Sequence, residues 1–249
     1  MGKNQSFIHE SVLLLVSMLL SWVQKLSLID YPGKIACVVF TPGCNLRCSF
    51  CHNPEFVLPE RIAQIKDSFT LEKDFFSFLK KRQWLLDGVS ICGWEPTLQF
   101  GLISFIKKVK SFGFLVKLDT NGRDPALLKK LIDEDLVDYI AMDVKHTWEK
   151  YPSLVGKLDD ISPYQESVEI IRMSAKDYEF RTTVISPYHT YEDIREIAQS
   201  LQWVKRYFLQ SFRTWSVLES AFDGYPPGPT LLEEMRNIAR QYLKECHVR

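Results

Sequence analysis

Residues 34–54 read KIACVVFTPGCNLRCSFCHNP, and this stretch decides both the fold class and the chemistry. Its first seven residues are mostly apolar and rich in β-formers, the composition of a strand buried on both faces. The loop that follows carries Cys44, Cys48 and Cys51 in a C-x₃-C-x₂-C spacing among Gly, Pro, Asn and Arg. In parallel α/β proteins the working groups sit on loops beyond the carboxyl ends of strands, and a buried strand running into such a loop has that form. Three thiolates can hold three irons of a cubane and leave the fourth open, whereas fully ligated iron–sulfur clusters normally take four cysteines. Zinc with His52 as fourth ligand is the competing reading, although a Cys–His pair adjacent in sequence closes a tetrahedron poorly.

Outward from this stretch, short β-rich runs recur at 88–92, 114–119, 138–144, 179–185 and 206–212. Segments of 3.6-residue periodicity separate them, at 71–81, 98–111, 125–133, 164–175 and 191–201. A last helix is expected over 230–246, with Thr230 as N-cap and Glu233 completing a capping box. Six strand–helix units in alternation predict a parallel sheet with right-handed crossovers, two units short of a full (β/α)₈ barrel. The expected fold is therefore α/β, a partial (β/α)₆ barrel, with an open doubly wound sheet as the alternative. Gly93-Trp94-Glu95-Pro96, Asp119-Thr120-Asn121-Gly122 and Asp143 with Lys145 all fall at predicted strand ends, so one rim would collect them with the cysteines.

Lys plus Arg and Asp plus Glu both number 31 in the 249 residues, so there is no basic field of the kind non-specific nucleic-acid binding needs, and no nucleic-acid partner is expected. Hydrophobic residues at 46% allow a sizeable core. Cys37, Cys92 and Cys246 are scattered, lack the spacing of a second cluster and are expected to be free thiols. Clustered cysteines in a long chain point to metal ligation in a reducing compartment rather than to a disulfide framework. The apolar run 12–23 (VLLLVSMLLSWV) is too short to span a bilayer and has no A-x-A-like site after it. Residues 1–23 are read as an apolar extension, 24–249 as a single domain, and the location as cytoplasmic without membrane attachment.

The cysteine loop, with Phe50 before its last cysteine, resembles the radical S-adenosylmethionine (SAM) motif. The stretches 25–34 (KLSLIDYPGK), 40–45 (FTPGCN) and 51–54 (CHNP) narrow the resemblance to the activases of glycyl-radical enzymes. They are most similar to anaerobic ribonucleoside-triphosphate reductase activating proteins, with pyruvate formate-lyase activating enzymes as relatives. The resemblance covers roughly residues 24–215. It implies an oxidoreductase with a [4Fe–4S] cluster on Cys44, Cys48 and Cys51 whose open iron chelates SAM. It also implies a glycyl-radical enzyme as protein substrate and an external one-electron donor such as flavodoxin or ferredoxin. Gly93 and Glu95 then correspond to the G-G-E-P segment that contacts the SAM amino group, with Trp94 in place of the second glycine. Asp119, Thr120 and Asp143 correspond to ligands of a monovalent cation beside SAM. Lys145 is the expected partner of the SAM carboxylate, and Arg181 a second candidate for that task.

Each of these residues also has a plainer reading. DTNG alone is an Asx-type turn, Glu95 alone a solvated loop carboxylate, and Arg181 an inward structural Arg. His9, His146, His189 and His247 show no partner pattern and are read as structural. Two other functions stay open on the sequence: a radical SAM enzyme acting on a small molecule, and a non-catalytic iron–sulfur protein made conceivable by Trp94.

Overall fold

The computed structural model describes residues 17–156, 158, 160–214 and 217–249. A mixed sheet carries the strands β1 (Trp22–Ser27), β2 (Ala36–Thr41), β3 (Gly88–Gly93), β4 (Leu115–Thr120), β5 (Tyr139–Asp143), β6 (Tyr178–Val184), β7 (Tyr207–Ser211) and β8 (Cys246–Val248). Their order in the sheet is their order in the chain. β1 pairs antiparallel to β2, and every later pairing from β2 to β8 is parallel. The six strands expected from the sequence are β2 to β7, and their crossovers carry helices, as the partial-barrel reading requires.

Among those helices, α1 (Pro59–Ile65) and α2 (Glu72–Lys80) follow the cysteine loop, and α3 (Leu102–Ser111) and α4 (Pro125–Asp133) follow β3 and β4. Next come α5 (Tyr151–Val155), α6 (Ser162–Ser174), α7 (Tyr191–Ser200) and α8 (Pro229–Ala239). The longer helices bury an apolar stripe against the outer face of the sheet: Phe75, Phe76 and Leu79 from α2, and Phe105, Ile106 and Val109 from α3. These join Cys37, Val39, Val89 and Ile91 in one continuous core. Side chains alternate across a strand, so Ala36, Leu115, Tyr139 and Ala141 point the other way and pack with Tyr31 in a small second cluster on the inner face. Starts are well specified where capping chemistry exists: Asp124 caps α4 through Leu127 N (2.9 Å), and Thr190 and Asp193 form a capping box on α7.

Three expectations are corrected. The last helix starts with Gly228 as N-cap and Pro229 at its first position, not at Thr230. It stops at Ala239, and Cys246–Val248 extend the sheet beside β7 instead, because Cys246 fits a fully buried edge position opposite Tyr207. The hydrophobic periodicity of 230–246 hides that change of state. β1 was not expected; it starts within the stretch read as an extension. Of that stretch, residues 1–16 lie outside the described residues, while Met18 and Leu20 are buried in the core. No helix among the described residues is long and apolar enough to cross a membrane.

Candidate active site

The carboxyl ends of β2 to β6 surround a cavity of about 280 Å³. Cys44, Cys48, Cys51, Gly93, Asp119, Thr120, Asp143 and Lys145 all line it, with Arg181, Asn121 and Trp94 among their neighbours. Of the residues assigned from sequence, only Glu95 is not part of the wall.

The cysteine loop is held mainly by backbone hydrogen bonds. Gly43 N–H donates to Phe56 O (2.7 Å) and Glu95 N–H to Gly43 O (3.0 Å), which pins the loop to the segment after β3. On its other side, Arg47 N–H donates to Val155 O (2.9 Å) at the end of α5, and the Arg47 guanidinium bonds the carbonyls of Cys44 (2.7 Å) and Leu46 (2.8 Å). Phe50 sits edge-on to Phe212. Burial pushes the thiols of Cys44 and Cys48 up, to about 11 and about 12, and the nearby sulfurs push the same way. Cys51 is also raised by burial, against hydrogen bonds from Asn53 N–H and the Trp94 indole. The pocket thus disfavours free thiolates, and a bound metal group would be what ionises them. Among the described residues no three His, Cys, Asp or Glu side chains converge as ligands of a single metal ion. Three sulfurs spread around one cavity fit a multi-iron cluster better than a lone zinc.

Gly93 and Trp94 divide the work differently from the G-G-E-P pattern. Gly93 has φ +123°, and a Cβ there would lie 2.4 Å from both the N and the O of Thr41, so this position demands glycine. Trp94 is not in the left-handed region. Its ring stacks on Phe56 with centroids 4.3 Å apart, and its backbone follows β2 through Trp94 N–H to Thr41 O (3.2 Å). The backbone at position 94 therefore accommodates a tryptophan in place of the second glycine.

Glu95 is turned away from the cavity. Its fully buried carboxylate accepts from Thr97 N (3.1 Å), Thr97 Oγ1 (2.6 Å), Thr120 Oγ1 (2.9 Å) and Asn121 N (2.6 Å). Burial raises its pKa against the pull of these bonds. The carboxylate is engaged with the loop after β4, tying it to the loop after β3.

The opposite wall is ionic. Lys117 pairs with Asp119; Arg181 bridges Asp119 (NH1 to Oδ2, 2.9 Å) and Asp143 (Nε to Oδ1, 2.8 Å); Lys145 bonds the other oxygen of Asp143 (2.8 Å). Burial works against the charge of both carboxylates, yet the cations beside them hold Asp119 and Asp143 below the ordinary carboxylate range. Burial likewise opposes the Lys145 charge, and Asp143 with Cys48 overcomes it and raises the ammonium above its usual value. Arg181 and Lys145 alternate with Asp119 and Asp143 on the wall itself, with Lys117 behind Asp119, an array of both signs suited to a ligand that carries both a carboxylate and an amino group.

The sequence reading left Lys117 and Asn121 without a role. The signal for Lys117 was present: Lys117 and Asp119 are two apart in a strand and so share a face, and charges inside a buried parallel strand are unusual. His146 and His189, read as structural, stack at 4.6 Å, each with one ring nitrogen at a backbone carbonyl and the other accepting a backbone N–H. Cys92, read as a free thiol, also lines the cavity.

The Radical SAM superfamily model matches residues 38–201. The chain is 33% identical over 237 residues to a Methanocaldococcus jannaschii protein named "putative glycyl-radical enzyme activating enzyme", covering 93% of this chain and 95% of that one. It is 36% identical over 135 residues to the pyruvate formate-lyase-activating enzyme of Listeria monocytogenes, spanning about half of each chain (49% and 51%). Among solved structures, QueE from Escherichia coli superposes with a TM-score of 0.58 over 100% of this chain and 99% of its own, at 13% identity. Streptococcus suis SuiB does so with a TM-score of 0.63 over 85% of this chain and 48% of its own, at 14% identity. Both share the fold. Membership of the family implies SAM and a [4Fe–4S] cluster as cofactors. With its three-cysteine loop, its sequential parallel sheet and a match over most of its length, this chain belongs to the radical SAM superfamily, within the group of glycyl-radical enzyme activating proteins.

Proposed function

We propose that this protein is an activase that installs a glycyl radical on a partner enzyme, and that Cys44, Cys48 and Cys51 hold its [4Fe–4S] cluster. The observation that carries the reading is the meeting in one cavity of three thiols and the ion-paired side chains Asp119, Arg181, Asp143 and Lys145. Bound together, the cluster and SAM would supply the radical chemistry that abstracts a hydrogen atom, so the protein's own task is to position and exclude. Lys145 and Arg181 orient the SAM carboxylate. The backbone at Gly93, held against Thr41, leaves room for the ligand. Burial of the three thiols keeps them protonated until metal arrives. No general base on this chain is required, in keeping with a site built of ion pairs and thiols.

The partner is an anaerobic ribonucleotide reductase or an enzyme of the pyruvate formate-lyase type; the activases of the latter among the relatives support this class. Flavodoxin or ferredoxin supplies the electron. A cytoplasmic location follows from the need for a reducing compartment. The Arg181 guanidinium bridges the two carboxylates that the resemblance assigns to a monovalent cation, and supplies the positive charge there.

Incubating reduced, reconstituted protein with SAM and a candidate partner should give a persistent doublet in the electron paramagnetic resonance spectrum. Replacing the partner's glycine by alanine should remove it. Consumption of SAM in step with a small molecule, and no doublet with any partner, would replace the activase by a small-molecule enzyme.

A further inference from the structure

The loop after β4 reaches the cysteine loop through one side chain. Asn121 is 4% exposed, and its Nδ2 lies 2.8 Å from Asn45 Oδ1 and 3.8 Å from Cys44 Sγ. An amide nitrogen has two hydrogens, one for each of these partners. The orientation of the amide is fixed by its other end, because Asn121 Oδ1 accepts from Arg123 N (3.0 Å). Turning the amide over would set its oxygen against Asn45 Oδ1 and the sulfur, leaving two acceptors facing one another. Behind the side chain, the Asn121 backbone N–H is anchored on the buried Glu95 carboxylate, which also holds Thr120. Cys44 Sγ takes a second N–H from Leu46 N at 3.4 Å. The sulfur therefore has one donor from its own loop and one from a different strand end.

We infer that Asn121 is a positioning residue of the cluster, whose side-chain N–H bonds the Cys44 thiolate and raises the reduction potential of the bound cluster; this rests on Cys44 being a cluster ligand. The physical reason is electrostatic. A donor on a ligand sulfur draws electron density from it and stabilises the reduced cluster, with its extra negative charge, more than the oxidised one. Because the donor comes from the strand end that also carries Asp119 and Thr120, displacement of that loop would be felt at the cluster as a change in how easily it accepts an electron.

The test compares the parent with Asn121→Ser and Asn121→Asp in reconstituted protein. Serine can keep the local turn to Arg123 N but is too short to reach Cys44. Aspartate keeps the shape and the Arg123 contact, loses the donor and adds charge. Both variants should bind about four irons per chain, the content of one [4Fe–4S] cluster. Their midpoint potentials should move to more negative values, further for Asn121→Asp. Full iron content with the parent's potential in both variants would overturn the inference while leaving the ligand assignment standing. Parent protein that binds no cluster would overturn both. If both variants lose iron, 15N placed only in asparagine side-chain amides decides the matter in Asn45→Asp protein, which keeps an acceptor for Asn121, with Asn53→Asp added to silence the other amide on the cavity wall. A 15N hyperfine coupling to the reduced cluster supports the bond, and its absence overturns it.

Discussion

The two halves of the rim are built from different materials. Around the ends of β2 and β3, position is set by backbone: a glycine against Thr41, carbonyls of the cysteine loop bonded to neighbouring loops, and aromatic rings packed behind them. Around the ends of β4 to β6, it is set by charge, five ionised side chains in a row on three adjacent strands. Thiols that must become ligands need a dry setting in which only a metal ionises them. A zwitterionic cofactor needs fixed charges, and these tolerate burial only because each has a partner. The lesson is that one cavity can hold both only if the two kinds of support are kept on separate strand ends.

The largest effect should come from removing a ligand on the backbone side. Cys48→Ala should lose the cluster outright, whereas Cys246→Ala, at the far edge of the sheet, should keep it; iron and sulfide analysis reads both. On the ionic side, Arg181→Met should destabilise the fold by about 1.5–3 kcal/mol, since two half-buried carboxylates lose their shared charged donor while Asp119 keeps Lys117 and Asp143 keeps Lys145. Urea unfolding of the metal-free protein measures this, and a loss below about 1 kcal/mol would show that the charged wall does not depend on its central Arg.

The pH dependence of the metal-free protein should separate the two halves. Burial lowers His189 to about 4 and also lowers His146, so between about pH 4 and the ordinary histidine value near 6.5 the unfolded chain binds more protons. Stability should therefore rise with pH across that window. Asp119 and Asp143, held low by their cations, add stability above about pH 4 that is lost below it as they take up protons, and Arg181→Met should move that loss to higher pH. The thiols act with the opposite sign. Raised to about 11 and 12, Cys44 and Cys48 stay protonated where the unfolded chain ionises, so stability should fall as pH climbs above about 9. Loading the cluster should lessen the alkaline decline without abolishing it, since burial also pushes Cys37, Cys92 and Cys246 up to about 12, and should leave the acid one; denaturation curves at a series of pH values test both limbs.

The smallest effect belongs to Trp94→Gly. It forfeits the stack on Phe56, worth about 0.5–1.5 kcal/mol, and the indole hydrogen bond to Cys51, and should leave SAM affinity within about threefold, because the backbone at position 94 is outside the left-handed region. A large loss of SAM binding would mean that the indole touches the cofactor.

How much of this could be read from the chain alone follows the same division. The six parallel strands and the cysteine spacing were legible because alternation and ligand number are local properties. That Gly93 rather than position 94 needs glycine was not, because it depends on how closely β3 approaches Thr41. Nor was the burial of Glu95: its four donors come from Thr97, Thr120 and Asn121, the last two across a sequence gap of 25 and 26 residues. Arg181 was legible as an inward charge, but its place between two carboxylates is a matter of strand register, with Asp143 opposite Arg181 in the β5–β6 ladder. The edge strand β8 was hidden inside a helical period.

The sequential order of the strands has a consequence for the protein's birth. Each unit adds to the growing edge of the sheet as it leaves the ribosome, so Cys51 emerges 94 residues before Lys145. At a synthesis rate of roughly 5–20 residues per second the three thiols wait on the order of 5–20 s for the wall that faces them. During that interval they are neither buried nor paired with the ionic array, and oxidation would find them most open. The yield of the metal centre in a cell should therefore depend on how reducing the surroundings are during translation.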